Sequence, residues 1–224
     1  MHFLQTLAVL SGALISSCHG RPQIGPQLAP RDSWGGAVSL GPTTSTIKKA
    51  VTTIIPGAAP PTQNGVLFLW PGMSNGTGDL VQTTLESWPD NSWCGAKSGQ
   101  WCVRASLFGW FGQLDGPASP VSANQKVKIK QDVTDADTGA VLSTFSYKSG
   151  PFMRGYGTGT ECNDGCSGTI AEQRYINTEI TLAGSDKNFG KTIATSQGAT
   201  YSGLASNSDG SVWTISEIRI PKMV

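Results

Sequence analysis

Gln82, Thr84 and Glu86 recur at every second position of residues 80–87, with Val81, Thr83 and Leu85 between them. In an extended chain that spacing gathers an amide, a hydroxyl and a carboxylate on one face and leaves the other mostly apolar. A carboxylate so placed can act as general acid or base once burial raises its pKa into the working range, which makes Glu86 a candidate catalytic acid. The same alternation groups Tyr175, Asn177, Glu179 and Thr181 on one face of residues 174–182, opposite Ile176 and Ile180. Gly109, Phe111 and Gln113 share a face within residues 105–113. Trp70, Phe111 and Tyr175 would stand as aromatic walls among these polar groups, the composition of a ligand groove. The expected ligand-binding set is Trp70, Thr84, Gly109, Phe111, Gln113, Tyr175, Asn177 and Glu179, with Glu179 a second candidate acid.

Other chemistries are excluded by what the chain lacks. Residues 4–15 form an apolar run, followed by the small-residue stretch Ser16-Ser17-Cys18-His19-Gly20 and then Arg21-Pro22. That run is too short to span a bilayer and reads as a cleavable signal peptide over residues 1–20, so the protein is expected to be secreted. The two histidines, His2 and His19, leave with it. A mature chain without histidine has no Ser-His-Asp triad, no Cys-His dyad and no His-ligated metal, and neither metal nor cofactor is expected. Cys18 is lost in the same way, leaving Cys94, Cys102, Cys162 and Cys166. In an oxidising compartment these imply two disulfides. Three connectivities are open, the local pairing Cys94–Cys102 and Cys162–Cys166 being the simplest. Charged residues make up only 14% of the chain and the net charge is +1. That balance argues against nucleic acid or an anionic membrane as partner. The expected partner is a peptide, glycan or small molecule in the groove of a monomer. Asn75-Gly76-Thr77 is a glycosylation acceptor and places its loop at the surface.

The elements that would position these groups are strands. Residues 21–33 are Pro-rich and aperiodic, a flexible arm or propeptide. From Trp34 to the end, short segments rich in Val, Ile, Thr and aromatics alternate with Gly, Pro, Asn and Asp. They fall at 47–55, 66–70, 80–87, 103–113, 127–133, 141–147, 174–182, 191–194 and 212–220. No window of a dozen residues carries a helical stripe, and Asp137-Thr138-Gly139 is a hairpin turn. This spacing predicts one all-β domain over residues 34–224, a two-sheet antiparallel jelly-roll or sandwich with a concave groove. Gly155-Tyr156-Gly157-Thr158-Gly159 reads as a flexible loop, since no Lys-Ser/Thr and no helix follow to make it a phosphate loop. Asn163-Asp164-Gly165 reads as a turn, and Trp88, Trp93 and Trp101 are expected to pack about Cys94 and Cys102.

Several segments resemble the eqolisins, the fungal glutamic peptidases. Ser33-Trp34-Gly35-Gly36-Ala37-Val38 is similar to their Asn-Trp-Ala-Gly-Ala start, and Leu69-Trp70-Pro71-Gly72 to their Trp-Val-Gly-Ile-Asp. Val81-Gln82-Thr83-Thr84-Leu85-Glu86 resembles Leu-Gln-Thr-Gly-Val-Asp, Ile170-Ala171-Glu172 resembles Ala-Glu-Trp, and Asn188-Phe189-Gly190-Lys191-Thr192 resembles Asp-Phe-Gly-Thr-Val. The resemblance implies a jelly-roll with a concave active face and makes Gln82 a member of the catalytic dyad, its amide stabilising an oxyanion. It also implies a water-activating Glu within Tyr-Glu-Trp-Tyr-Pro, whose counterpart here is Phe108-Gly109-Trp110-Phe111-Gly112. Gly109 then stands where the base is expected, and a glycine holds no proton. That departure argues against peptidase activity and leaves two other classes in view. One is a carbohydrate-active protein, a glycan-binding module or a polysaccharide lyase with Tyr175 or Tyr156 as base. The other is a small-molecule enzyme, such as a cyclase, using space opened beside Gly109.

Overall fold

The computed structural model describes residues 33–77, 79–130, 132–146 and 152–223. The signal-peptide reading, Cys18, both histidines and all of the Pro-rich arm but Ser33 lie outside these residues. The chain folds into two antiparallel sheets. The first runs in the order β13 (Ala194–Ser196), β1 (Ser33–Leu40), β11 (Gly155–Asn163), β3 (Val66–Ser74), β4 (Leu80–Ser87), β5 (Trp101–Gly109) and β6 (Gly112–Asp115), with β7 (Ser119–Val121) also on β5. The second runs β10 (Val141–Thr144), β9 (Asp132–Asp135), β8 (Val127–Ile129), β2 (Ile47–Ile55), β12 (Gln173–Leu182), β16 (Val212–Ile220) and β14 (Thr200–Ser202), with β15 (Ala205–Ser206) on β16. Among the described residues, two short 3-10 turns, Ser92–Cys94 and Phe189–Thr192, complete it. The all-β two-sheet expectation holds.

Alternation builds the core. Val38, Leu40, Leu67, Leu69, Leu85, Trp101 and Val103 turn inward from the first sheet, and Ile54, Tyr175, Ile180, Ile215 and Ile218 from the second. Fully burying such side chains stabilises by about 1.5–3 kcal/mol each. A polar seam crosses this interior: Thr52 and Thr178 share a hydrogen bond of 2.8 Å, and the Tyr175 hydroxyl donates to the Trp70 carbonyl at 3.4 Å. Both disulfides take the local pairing, Cys94–Cys102 and Cys162–Cys166.

Four elements differ from the sequence reading, the first being the segment read as one strand over 127–133, which forms the antiparallel pair β8 and β9. Residues 155–159, expected as a loop, form the body of β11, paired on both edges by β1 and β3. The segment read as one strand over 103–113 folds back at Trp110-Phe111 into β5 and β6. Half of the segment read as a strand over 191–194 belongs to the second 3-10 turn, and only Ala194 is in a strand, the start of β13. The hairpin about Asp137-Thr138-Gly139 joins β9 to β10. Its Asp135 carboxylate accepts from the Asp137 and Thr138 amides, at 3.1 and 2.7 Å.

Candidate functional site

Gln82 lies on the outer face of the first sheet, and the strand register fixes its neighbours. Across β3 and β11 the row continues through Gly72, Gly157 and Ser39, and across β5 and β6 through Ser106 and Asp115. Gln82 is half-buried and its amide makes no hydrogen bond among the described residues. Ser106, only 2% exposed, has a hydroxyl without a hydrogen-bond partner among the described residues, as has the Trp70 indole nitrogen. Beside this row a cleft of about 210 Å³ opens between Trp34 and Trp70, edged by Ser39, Ser74, Leu80 and Ser196. Its floor is built of glycines, one of them for a steric reason. The Trp70 ring lies across β11 so closely that a Cβ at Gly159 would stand 3.0 Å from Trp70 Cζ2. Tyr175 supports the same residue from beneath through its carbonyl.

Four residues along β4 from Gln82 lies a charged cluster. Glu86 is fully buried. Arg104 on β5 grips it with two bonds, Nε to Oε1 at 2.8 Å and Nη2 to Oε2 at 2.7 Å. The Thr84 hydroxyl and the Trp88 indole donate to the same carboxylate at 2.6 and 2.8 Å. Arg104 Nη1 also meets Asp115 at 2.9 Å, and the guanidinium sits 5.0 Å from the Trp93 ring centroid, a cation–π contact. Gln113 donates to Asp115 at 2.8 Å. Burial works against the Arg104 charge, but Glu86 and Asp115 outweigh it and raise its pKa above the ordinary value. Two carboxylates facing one cation that stays charged form a structural clamp, with all lone pairs of Glu86 engaged.

The expected site residues therefore divide. Gln82, Thr84, Trp70, Gln113 and Glu86 do share the outer face of the first sheet. Glu86 is taken up by Arg104, a residue the sequence reading passed over. Tyr175 does not line the groove. It is fully buried between the sheets, and burial pushes its hydroxyl pKa well above the usual tyrosine range. Asn177 and Glu179 lie on the outer face of the second sheet, where Glu179 pairs with Lys49 at 3.3 Å. The cause is a bulge: register slips between Ile176 and Glu179, Asn177 takes a φ of 54°, and the alternation inverts past it. Gly109 is misplaced as well. Its ladder partner is Gly112, one step past the Phe108–Gln113 pair that shares the face of Gln82. A Cβ at Gly109 would meet Asp79 and the Phe111 ring at 2.8 Å, so a carboxylate there would be aimed away from the Gln82 amide. Phe111 stacks edge-on with Trp110 at the hairpin tip, 5.8 Å between centroids.

Trp101 is fully buried and donates to the Gly57 carbonyl, while Trp88 and Trp93 pack edge to face over the clamp at 6.4 Å. Asn75 keeps to the surface loop, but its Nδ2 is buried while its Oδ1 accepts from Thr77. Among the described residues no group of three or more His, Cys, Asp or Glu is placed to hold a metal, and no helix is long and apolar enough to cross a membrane.

No protein-family model matches this sequence, and no curated protein matches it. Solved structures do. Scytalido-glutamic peptidase with a transition state analog inhibitor aligns with 86% of this chain and 99% of its own at a TM-score of 0.51 and 14% identity. The same peptidase with a peptide-based analog gives 0.46 at 14% identity over 83% of this chain and 98% of its own. SCP-B, a member of the eqolisin family in complex with the tripeptide Ala-Ile-His, gives 0.44 at 13% identity over 86% and 99%. At such identities it is the fold that is shared: the chain is an eqolisin-like two-sheet sandwich.

Proposed function

We propose that this protein binds an extended ligand, in the first instance an apolar peptide segment, in the cleft beside Gln82 and does not cleave it. The observation that carries this reading is the row through Gln82. Within it stand Ser39, Gly157, Gly72 and Ser106, and its one carboxylate, Asp115, is committed to Arg104 and Gln113. Glu86 on β4, and Glu161 on β11 at the equivalent offset, lie about 13 Å along their strands from that row. A general base must reach its water within about 3 Å, directly or through one more water. The amide therefore lacks a partner for hydrolysis but keeps its donors for binding. Trp34, Trp70 and the glycine floor supply an apolar bed, and Ser39, Ser74 and Ser196 at its edge supply polar contacts.

The lyase alternative loses its base, since Tyr175 and Tyr156 are both sealed between the sheets and burial pushes the Tyr156 pKa to about 12. The cyclase alternative loses its pocket, since Gly109 faces Asp79 and Phe111 rather than the cleft. The test is twofold. A library of unfolded substrates incubated from acid to neutral pH is expected to gain no new N-termini, while apolar peptides quench tryptophan fluorescence saturably. Cleavage that disappears in Gln82→Ala would overturn the reading.

A further inference from the structure

The outer face of the second sheet carries a separate feature. β8 and its flanks read Lys126-Val127-Lys128-Ile129-Lys130. Val127 and Ile129 are buried in the core. Alternation therefore turns all three lysines outward, about 6.7 Å apart along the strand. β2 adds Lys49, and with Val51, Thr53 and Ile176 these side chains line a shallow cavity of about 570 Å³. Lys49 is paired with Glu179 at 3.3 Å and Lys126 with Asp137 at 2.9 Å. Lys128 and Lys130 have no ion pair among the described residues. Against the four lysines the cavity lining sets only Asp137 and Glu179, a local excess of positive charge in a chain whose net charge is +1.

We propose that this face binds a linear acidic polysaccharide, one bearing an anionic group on successive sugars. A straight row of ammonium groups matches a repeating anion better than a single one. Val51 and Ile176 offer an apolar strip to sugar C–H faces, and Thr53 and Asn177 offer polar contacts to hydroxyls. Among the described residues no aromatic ring lines the cavity for bases to stack on, which disfavours single-stranded nucleic acid. The cavity's apolar liners among the described residues are only Val51, Ala136 and Ile176, too little apolar area to enter a bilayer, which disfavours a membrane surface.

The experiment titrates the full chain at low salt with polygalacturonate and with dextran sulfate, neutral dextran serving as control. Binding of either anionic polymer is expected, weakening steeply with salt and at least tenfold in K128E/K130E, with a graded loss in K128Q/K130Q. The midpoint of thermal unfolding should not move, because both positions are exposed. Gln82→Ala should bind the polymer as the parent does, which separates this site from the cleft. The proposal is overturned if neither polymer binds, if neither lysine variant weakens binding, if Gln82→Ala abolishes it, or if single-stranded DNA or anionic vesicles bind as tightly.

Discussion

At the scale of single residues, Glu86 decides between catalysis and structure. It is fully buried and accepts four hydrogen bonds, two of them from Arg104. Removing one partner of a buried ion pair costs about 3–5 kcal/mol. Arg104 keeps Asp115 and some exposure, so Glu86→Gln is expected to cost about 3 kcal/mol, read as a lower urea midpoint with unchanged m. A free acid held for chemistry would give a change within about 0.5 kcal/mol instead. Half of this site was legible. Period two alone grouped Gln82, Thr84 and Glu86. What occupies Glu86 was not, because Arg104 lies eighteen positions away and meets it only through the β4–β5 register. A sequence pattern gives the face of a side chain but not its neighbour across the ladder.

At the scale of elements, two strands account for most of the misplaced residues. β11 carries glycine at 155, 157 and 159, which lowers β propensity and reads as a loop. At Gly159 the glycine makes room instead, since Trp70 packs over it and a Cβ there would stand only 3.0 Å from the ring. In β12 strict alternation places Tyr175, Asn177 and Glu179 together, and one extra residue undoes it. Asn177 sits in the left-handed region, which asparagine tolerates and a β-branched residue does not. Asn177→Val is expected to destabilise by about 1–2 kcal/mol, and Asn177→Gly to be neutral or slightly stabilising. Denaturant melts of the pair check it. Equal stability of the two variants would mean that the bulge relaxes at no cost and the register is not pinned there. No local signal announces this bulge, because asparagine in an exposed strand position reads the same with or without it.

At the scale of the whole molecule, the all-β sandwich was legible from the spacing of apolar segments and turn residues, but the division of strands between sheets was not. It depends on crossovers such as the one from β1 in the first sheet to β2 in the second. That crossover is tied by Asp186, which lies beyond β12. Asp186 Oδ2 accepts from the Thr43 hydroxyl and the Thr44 amide, each at 2.8 Å, and Oδ1 accepts from the Asn188 amide at 3.0 Å. The Gly41 amide donates to Thr192 Oγ1 at 2.8 Å alongside. Burial pushes the Asp186 pKa up, but the hydrogen bonds from Thr44, Thr43 and Asn188 outweigh it and hold the carboxyl below its ordinary value. A folded value below the unfolded one means that the unfolded chain binds the proton more readily. The clasp therefore contributes fully above the unfolded aspartate range near pH ~3.9 and is lost as pH falls through the lower folded value. Asp186→Ala is expected to cost about 1–3 kcal/mol at neutral pH, since it leaves the Thr43 and Thr44 donors unmet. The gap between parent and variant should narrow as acid protonates the parent. Urea melts of both proteins over a descending pH series measure it. A gap that stayed constant to the acid limit would show that the lost contribution is packing, and that the charge of Asp186 does not hold the crossover between the sheets.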